Sequence, residues 1–203
     1  MIKKIDNCVI LLNTMKLKTQ RHGPFVLVNS EVKYQNQWIQ VREDQVIRSN
    51  GVKGIFGVMS TNNSVLILPI YDTGVVCLIN EYRYAIDQCS LEVPAGGVDK
   101  GESLETAARR ELREEAGLET KRLTYLNYVN LGTAVIDSKA HMFVATKLKK
   151  IKFKHELSED IKTIEMPFKQ AVQKVMKGEI VHSACALFIL KAWNMYESGE
   201  LVI

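Results

Sequence analysis

Residues Leu91–Leu118 of this chain read LEVPAGGVDKGESLETAARRELREEAGL. The pattern predicts a short strand at Leu91–Ala95, a glycine-rich loop at Gly96–Glu102 and a helix at about Ser103–Ala116. The first residue of this helix is a serine, a common N-cap, and Gly117 stands where a helix ends in the left-handed conformation. We therefore expect a strand–loop–helix unit around which the rest of the chain is organised.

The apolar face of this predicted helix carries two carboxylates. At about 100° per residue, the residues that fall within roughly half of the circumference are Leu104, Ala107, Ala108, Leu112 and Ala116. Glu111 and Glu115 are four residues apart, so they are neighbours in the middle of that same face. Burying carboxylates without partners costs several kcal/mol each, so we expect a positive group to meet them.

Two interpretations of these glutamates remain open from the residues alone. In the first, the acidic run is a solvated helix whose charges are neutralised by Arg110 or Arg113. In the second, Glu111 and Glu115, with Glu114 one step round the helix, hold hard divalent cations. Such cations take oxygen ligands and keep waters and phosphates in their remaining positions.

The spacing of the stretch resembles the Nudix box. The matching positions are Gly96, Glu102, Arg110-Glu111-Leu112, Glu114-Glu115 and Gly117-Leu118. The resemblance implies Mg²⁺-dependent hydrolysis of a nucleoside diphosphate linked to another group. It also implies an α/β fold, an α/β/α sandwich with a mixed sheet in which the box forms a loop–helix–loop.

The segment before the box is similar to the ADP-ribose pyrophosphatase and nucleoside diphosphate sugar hydrolase branch of that family. Residues Glu81–Ala85 read EYRYA and precede LEVPAG, a combination typical of this branch. The resemblance implies that Arg83 contacts a phosphate or the terminal ribose, which suits a guanidinium fork. Without the resemblance, an ion pair of Arg83 with Glu81 or Asp87 is the simpler interpretation.

The resemblance also assigns roles in and around the box. The metal ligands it implies are the Ala95 carbonyl and the carboxylates of Glu111, Glu115 and Glu114, which would hold two or three Mg²⁺, with Mn²⁺ as a possible substitute. Glu92 would hydrogen-bond the sugar or assist at the metal, Gly96 would lie against the substrate, and Arg110 would position the box carboxylates.

The catalytic base in this branch comes from an acidic loop rather than from the box. Residues His155–Ile161 read HELSEDI, a polar loop between two predicted strands. Glu159 fits the register of the base best and Glu156 is second. The expected products are a nucleoside monophosphate and a sugar phosphate. The alternative function is a regulator in which a non-catalytic Nudix domain senses nucleotide sugars.

The N-terminal region divides into two predicted parts ahead of a catalytic domain at 61–203. Residues 1–23 have no sustained periodicity and are expected to form a loosely ordered tail. Residues 24–60 have a strand pattern with an Asn50-Gly51 hairpin turn, which predicts a small antiparallel sheet. This sheet resembles the one through which two subunits of the branch pair, so a homodimer is expected.

Aromatic residues of this sheet are candidates for binding the nucleotide base. Trp38 and Phe56 fall where ADP-ribose pyrophosphatases place aromatics that stack on adenine from one or both subunits. The alternative for Trp38 is that it packs the small sheet against the main domain.

The region after the box departs from the branch. Residues Leu123–Val129 and His141–Ala145 are predicted strands, and Asn130–Lys139 between them is predicted to be the loop that selects the substrate. Many relatives carry a proline here, and this chain has none between Pro94 and Pro167. Which sugar and base are preferred is therefore left open. Helices are expected at Pro167–Gly178 and Ser183–Gly199, with His182 and Trp193 in structural roles.

The composition carries no nucleic-acid or membrane signature. Of the 203 residues, 46% are hydrophobic and 25% are charged, which is typical of one globular domain, and the net charge is only +4. A modest excess of positive charge suits an anionic substrate but is no nucleic-acid footprint. No apolar run approaches the length of about 18 residues that a membrane span requires, so no membrane partner is expected.

The cysteines indicate a reducing compartment. Cys8, Cys77, Cys89 and Cys185 are scattered without the spacing of metal ligands. There is no recognisable signal peptide, so reduced thiols and a cytoplasmic location are predicted.

Overall fold

A computed structural model describes residues 20–152 and 161–203 of the chain. The strands within these ranges are β1 (Gln20–His22), β2 (Phe25–Gln35), β3 (Ile39–Ile47), β4 (Lys53–Thr61), β5 (Ser64–Pro69), β6 (Val75–Arg83), β7 (Gln88–Glu92), β8 (Ala95–Gly97), β9 (Leu118–Gly132), β10 (Ile136–Lys150) and β11 (Lys162–Pro167). The helices are α1 (Leu104–Ala116), α2 (Phe168–Met176) and α3 (Ser183–Glu197), with a short 3-10 turn at Tyr84–Ile86.

The strands form two sheets. In the larger sheet the order is β1-β2-β3-β4-β10-β5-β8, and β9 also pairs with β10. The β4–β10 and β10–β5 pairs are parallel, whereas the other pairs of this sheet are antiparallel. The second sheet is antiparallel, in the order β11-β6-β7. The predicted α/β class with a mixed sheet is therefore confirmed.

The helices cover both faces of the central strands. Along β5, Val65 and Ile67 pack with the buried side of α1, whereas Leu66 and Leu68 pack with α2 and α3. Since successive side chains of a strand point to opposite faces, a strand that is buried on both faces is apolar throughout. This packing explains the uninterrupted apolar run at β5 and gives the α/β/α layering.

The N-terminal strands continue the larger sheet. Strands β2, β3 and β4 pair antiparallel, and Gly51 in the β3–β4 turn has a φ of 80°. The predicted antiparallel N-terminal sheet is thus present. Among the described residues, its strand pairing with the central strands lies between β4 and β10, at Met59 with Ile136 and Ser60 with Asp137. Of the segment 1–23, residues 1–19 lie outside the described ranges, and β1 starts at Gln20.

Helix α1 has the predicted caps. The Oγ of Ser103 accepts a hydrogen bond from the Thr106 N–H at 3.1 Å. At the other end, Gly117 has a φ of 62° and its N–H reaches the Arg113 carbonyl. A residue without a Cβ adopts this left-handed conformation at little cost, which fixes the end of the helix.

The segment Leu91–Ala95, predicted to be one strand, contains the end of one strand and the start of another. Strand β7 ends at Glu92 and β8 begins at Ala95, in a different sheet. Pro94 lies between them, and it has no N–H to donate to a ladder. Its carbonyl instead accepts from the Ile67 N–H at 2.8 Å. The prediction of one strand at Leu91–Ala95 was wrong for this reason.

The connection between β9 and β10 is shorter than predicted. The region 130–139 was expected to be a loop, but β9 runs to Gly132 and β10 starts at Ile136. Lys139 pairs with Asn130 and Ala140 with Val129, so the ladder passes through polar residues, with an irregularity between Ile136 and Lys139. Polar side chains are compatible with the exposed positions of a strand, and the polar composition was misread as a loop.

None of the helices in the described parts of the chain is long and apolar enough to cross a membrane.

Candidate active site

The two central glutamates of α1 are buried. Glu111 and Glu115 are each 7% exposed and lie on the face that the helical wheel indicates. The Ala95 N–H, at the start of β8, donates to Glu115 Oε2 at 2.7 Å. The loop and the helix of the box are therefore held together through a carboxylate.

Gly96 allows β8 to lie directly against Glu111. A Cβ placed on Gly96 would overlap the carboxylate of Glu111, whereas a Cβ on Gly97 would meet nothing within 4 Å. The glycine predicted to contact the substrate therefore has a steric role as well. Its lack of a side chain sets the distance between the loop backbone and the helix.

Arg110 connects the box loop to three carboxylates. Its guanidinium donates to both carboxylate oxygens of Glu102, at 3.0 and 2.9 Å, and to the Gly97 carbonyl at 2.9 Å. It also donates to Glu111 Oε1 at 2.6 Å and to Glu114 Oε2 at 3.2 Å. These pairs raise the pKa of Arg110. The solvated-helix interpretation correctly anticipated an arginine partner, but one for Glu111 and Glu114.

Glu115 remains in an unfavourable environment for a negative charge. Burial raises its pKa to about 8, and the nearby charges of Glu111 and Glu81 add to the rise. The hydrogen bond from Ala95 and the positive charge of Arg83 oppose it without cancelling it. A divalent cation at this place would reverse the effect, because it favours the ionised form.

The donor set fits a hard cation. Glu111 and Glu115 supply carboxylate oxygens from one helix face, and Ala95 lies against them. Hard divalent cations such as Mg²⁺ take oxygen ligands of this kind. Glu114 is half-exposed at the rim, so its carboxylate is open to solvent.

Arg83 forms a fork-to-fork ion pair with Glu92. Its Nε and Nη2 donate to the two oxygens of Glu92 at 3.1 and 2.7 Å, and Nη1 lies 2.9 Å from Glu81. Burial alone would raise the pKa of Glu92, but the two hydrogen bonds and the positive charge of Arg83 outweigh it and lower the pKa. The ion-pair interpretation of Arg83 is therefore correct for Glu81, while Asp87 accepts from Tyr82 instead.

Several predicted residues line one cavity of about 580 Å³. Arg83, Glu92, Ala95 and Gly96 are among the residues that line it, together with Ile86, Leu131, Val181, His182 and Ser183. The volume suits a small-molecule ligand.

The two aromatic candidates do not line this cavity. Trp38 lies in the turn between β2 and β3 and its side chain is 70% exposed. Its backbone N–H donates to Asn36 Oδ1 at 2.8 Å. Phe56 packs edge-on against Phe25 within the small sheet, at 5.1 Å between ring centroids. The exposed indole does not pack the small sheet against the main domain, so that interpretation of Trp38 was wrong.

Both candidates for the catalytic base, Glu159 and Glu156, lie outside the described residues.

His182 was predicted to be structural, and the structure also places it at the cavity. Its ring accepts the Cys185 N–H at 3.2 Å and thereby caps α3, but it also lines the cavity beside Glu92. The sequence carried no sign of this, since Glu92 and His182 are far apart in the chain. Trp193 is structural as predicted and packs edge-on against Phe168.

Comparison with known proteins agrees with this geometry. The NUDIX domain family matches residues 61–183, and the nucleoside diphosphate sugar hydrolase N-terminal domain matches residues 27–59. An ADP-ribose pyrophosphatase of Bacillus subtilis (strain 168) is 28% identical over 153 residues, covering 74% of this chain and 83% of that protein.

Two further relatives extend over more of the chain. The ADP compounds hydrolase NudE of Escherichia coli (strain K12) is 27% identical over 171 residues, covering 82% of this chain and 91% of that protein. A crystal structure of an ADP compounds hydrolase superposes with a TM-score of 0.75 at 26% identity, covering 90% of this chain and all of that one. The chain belongs to the Nudix family of hydrolases, and its N-terminal strands match the nucleoside diphosphate sugar hydrolase N-terminal domain.

Proposed function

We propose that this protein hydrolyses the pyrophosphate bond of ADP-ribose or a related nucleoside diphosphate sugar, in a reaction that depends on Mg²⁺. The observation that carries the proposal is the buried pair Glu111 and Glu115, which faces β8 beside a cavity that contains Arg83. Ionising a buried carboxylate with a pKa of about 8 destabilises the fold, and a bound cation would offset this by stabilising the negative charge. The named activities of the relatives support the same substrate class.

The substrate would lie in the cavity with its phosphates toward the box. Arg83 supplies a guanidinium to the lining of the cavity, and its present partner Glu92 holds that group in place. We infer that a phosphate or the terminal ribose engages Arg83, while Glu92 contacts the sugar or assists at the metal. A preorganised guanidinium fork loses little side-chain entropy when an oxyanion arrives.

The reaction requires shielding of a doubly anionic target. A divalent cation, when bound, supplies that shielding and lowers the pKa of a coordinated water. Glu111, Glu115 and the Ala95 carbonyl would hold the cation, with Glu114 assisting from the rim. Arg110 would keep the box carboxylates in position, and Glu159 or Glu156 would take the proton from the attacking water.

We further propose a homodimer formed through the small sheet at 24–60, with 61–203 as the catalytic unit. Exposed apolar side chains lie on β2 and β4, among them Val28, Val32 and Ile55. An exposed apolar sheet surface is a common feature of subunit interfaces. In such a dimer Trp38, which is exposed within its own chain, would be available to the other subunit.

Product analysis on a substrate panel tests the function. The purified protein is incubated with Mg²⁺ and ADP-ribose, GDP-mannose or UDP-glucose. Added phosphatase then releases inorganic phosphate from any phosphomonoester product, and this phosphate is measured. We expect AMP and ribose 5-phosphate from ADP-ribose. The Glu115→Gln variant, prepared in the same way, serves as the blank. Absence of turnover with all three compounds, together with tight binding of one of them, would favour a regulator that senses nucleotide sugars.

A further inference from the structure

A cluster of three different ligand types lies at the edge of the cavity. The side chains are Glu92, at the end of β7, His182, the cap of α3, and Cys185, in the first turn of α3. One ligand atom from each lies within 4.8 Å of the other two. The Sγ of Cys185 is 3.0 Å from Nδ1 of His182. Carboxylate, imidazole and thiol therefore form one compact cluster.

This donor set differs in kind from that of the Nudix box. Zn²⁺ is bound by thiolate, imidazole and carboxylate ligands in tetrahedral geometry, whereas Mg²⁺ prefers oxygen ligands alone. Bond lengths of about 2.0 to 2.3 Å place tetrahedral ligands about 3.3 to 3.8 Å apart. No separation in the cluster exceeds this range by more than about 1 Å, and the Sγ–Nδ1 distance of 3.0 Å falls slightly below it, so binding an ion would require small shifts of the side chains in both directions.

The surroundings leave room for a fourth ligand and an entrance. Glu92 and His182 both line the cavity, so a water or an anionic ligand can reach an ion held between them. Arg83 occupies one position on each oxygen of Glu92, and a carboxylate has further lone pairs on both oxygens. The ion pair and a metal bond can therefore share Glu92.

We propose that Glu92, His182 and Cys185 form a second cation site, specific for a borderline-soft divalent ion such as Zn²⁺ and separate from the carboxylate site of the box. Binding replaces the thiol proton of Cys185 by the ion, and the proton passes to the solvent. Because the ion takes the place of the thiol proton, the affinity increases with pH.

Occupancy of this site would slow the hydrolysis, a consequence that rests on the proposed function. The ion would draw charge from Glu92, which holds Arg83, and it would stand in the cavity that the substrate enters. Binding itself does not depend on turnover. Failure of the site and failure of the hydrolase activity are therefore measured separately.

Cobalt spectroscopy tests the site directly. Co²⁺ is added to the full-length protein in a large excess of Mg²⁺, which keeps oxygen-only sites filled. We expect a near-ultraviolet thiolate-to-cobalt charge-transfer band that saturates at one equivalent and disappears on addition of Zn²⁺. Co²⁺ bound to box carboxylates alone cannot give this band, because no sulfur is present there.

Substitutions identify the ligands. Cys185→Ser should abolish the band, and His182→Asn should weaken Co²⁺ binding at least about tenfold. Cys89→Ser, at an exposed thiol, is the matched control and should leave the band unchanged. Thermal unfolding of each variant checks folding, and His182→Asn serves if Cys185→Ser is unstable. A missing band in the parent protein, or one that survives Cys185→Ser, overturns the proposal.

In the activity arm, ADP-ribose hydrolysis is measured with Mg²⁺ in excess and Zn²⁺ at the concentration that displaces Co²⁺. We expect inhibition of the parent protein and of Cys89→Ser, and little inhibition of Cys185→Ser. Equal inhibition of all three would place the inhibitory ion elsewhere and overturn the regulatory part of the proposal.

Discussion

Glu115 shows at the scale of one residue how the fold prepares a charged site. The side chain is buried, receives one backbone hydrogen bond and lies near two other carboxylates. Its pKa of about 8 means that folding alone does not stabilise the ionised form. The carboxylate becomes an effective ligand only when a cation is supplied, which couples metal binding to its ionisation.

Removing this charge should abolish most of the activity and preserve the fold. We expect Glu115→Gln to lower kcat for ADP-ribose at least about a hundredfold, because a charged metal ligand is lost. The amide keeps the shape and ends the cost of a buried charge, so the unfolding temperature should not fall. Glu105→Gln is the control, since Glu105 lies on the outer side of α1, paired with Arg109. Near-full activity of Glu115→Gln would contradict the metal assignment.

The same residue predicts how stability depends on pH without metal. The unfolded chain loses the proton near pH 4.5, whereas the folded protein keeps it up to about pH 8. Raising the pH across this window therefore favours unfolding, at a cost on the order of a few kcal/mol. In EDTA, the unfolding temperature of the parent protein should fall relative to that of Glu115→Gln between pH 5 and pH 8. Above pH 8 the difference between the two unfolding temperatures should stay constant.

Addition of Mg²⁺ at pH 8 should restore the unfolding temperature of the parent protein and leave that of Glu115→Gln nearly unchanged. Parallel curves for the two proteins over the whole range in EDTA would show that Glu115 ionises normally.

Gly96 provides a steric test with an adjacent control. In Gly96→Ala the methyl group would occupy the position of the Glu111 carboxylate, whereas Gly97→Ala meets open space. We expect Gly96→Ala to lower kcat at least about tenfold and to weaken activation by Mg²⁺, and Gly97→Ala to do much less. Kinetics with varied Mg²⁺ measure both effects. Equal behaviour of the two variants would mean that the close approach of Gly96 to Glu111 is not needed.

At the scale of elements, α1 was predictable and its neighbours were less so. The helix bounds, caps and buried carboxylates all follow from local pattern, because 3.6-residue periodicity and capping chemistry act within a few residues. The break between β7 and β8 follows from Pro94, which has no N–H to donate to a ladder. The β9–β10 hairpin depends on pairing across the sheet, which the polar residues of 130–139 do not reveal.

The predicted helix at Ser183–Gly199 is present as α3 at Ser183–Glu197, but the approach of its start to Glu92 could not be predicted from the sequence. Its first turn brings His182 and Cys185 beside Glu92, about ninety residues earlier in the chain. Sequence spacing identifies metal ligands only when they lie on one element or a short loop. A site assembled by tertiary packing leaves no such spacing, so both residues were assigned ordinary roles.

Arg110 is the residue that joins the box loop to α1, and a matched pair of variants tests it. Lysine has one ammonium group and cannot reach Glu102, Glu111 and the Gly97 carbonyl together. We expect Arg110→Lys to lower kcat about tenfold or more while the protein stays folded. Arg109→Lys is the control, because Arg109 contacts Glu105 and the Thr120 carbonyl. If both variants lose the same activity, the role of Arg110 in positioning carboxylates is wrong.

At the scale of the whole molecule, the small sheet is both continuous with the catalytic sheet and weakly attached to it. Strand β4 pairs with β10 at only two positions, while its other partner is β3 along nine. The sequence predicted this sheet from its hairpin and alternating pattern. A small sheet with little support from the main core gains stability when a second subunit covers it. The proposed homodimer would therefore have a structural reason as well as a catalytic one.

In the proposed dimer, Trp38 would link subunit pairing to substrate binding. The indole is 70% exposed and lies outside the cavity of its own chain, so contact with the nucleotide would require the second subunit. Stacking on a base is worth about 1–3 kcal/mol. We expect Trp38→Ala to raise KM for ADP-ribose about fivefold to a hundredfold with little change in kcat, whereas Trp38→Phe keeps an aromatic ring and most of the affinity. Sedimentation equilibrium at micromolar concentration should give a dimer for all three proteins. A monomer would refute the shared site, and an unchanged KM in a dimeric Trp38→Ala would remove Trp38 from it.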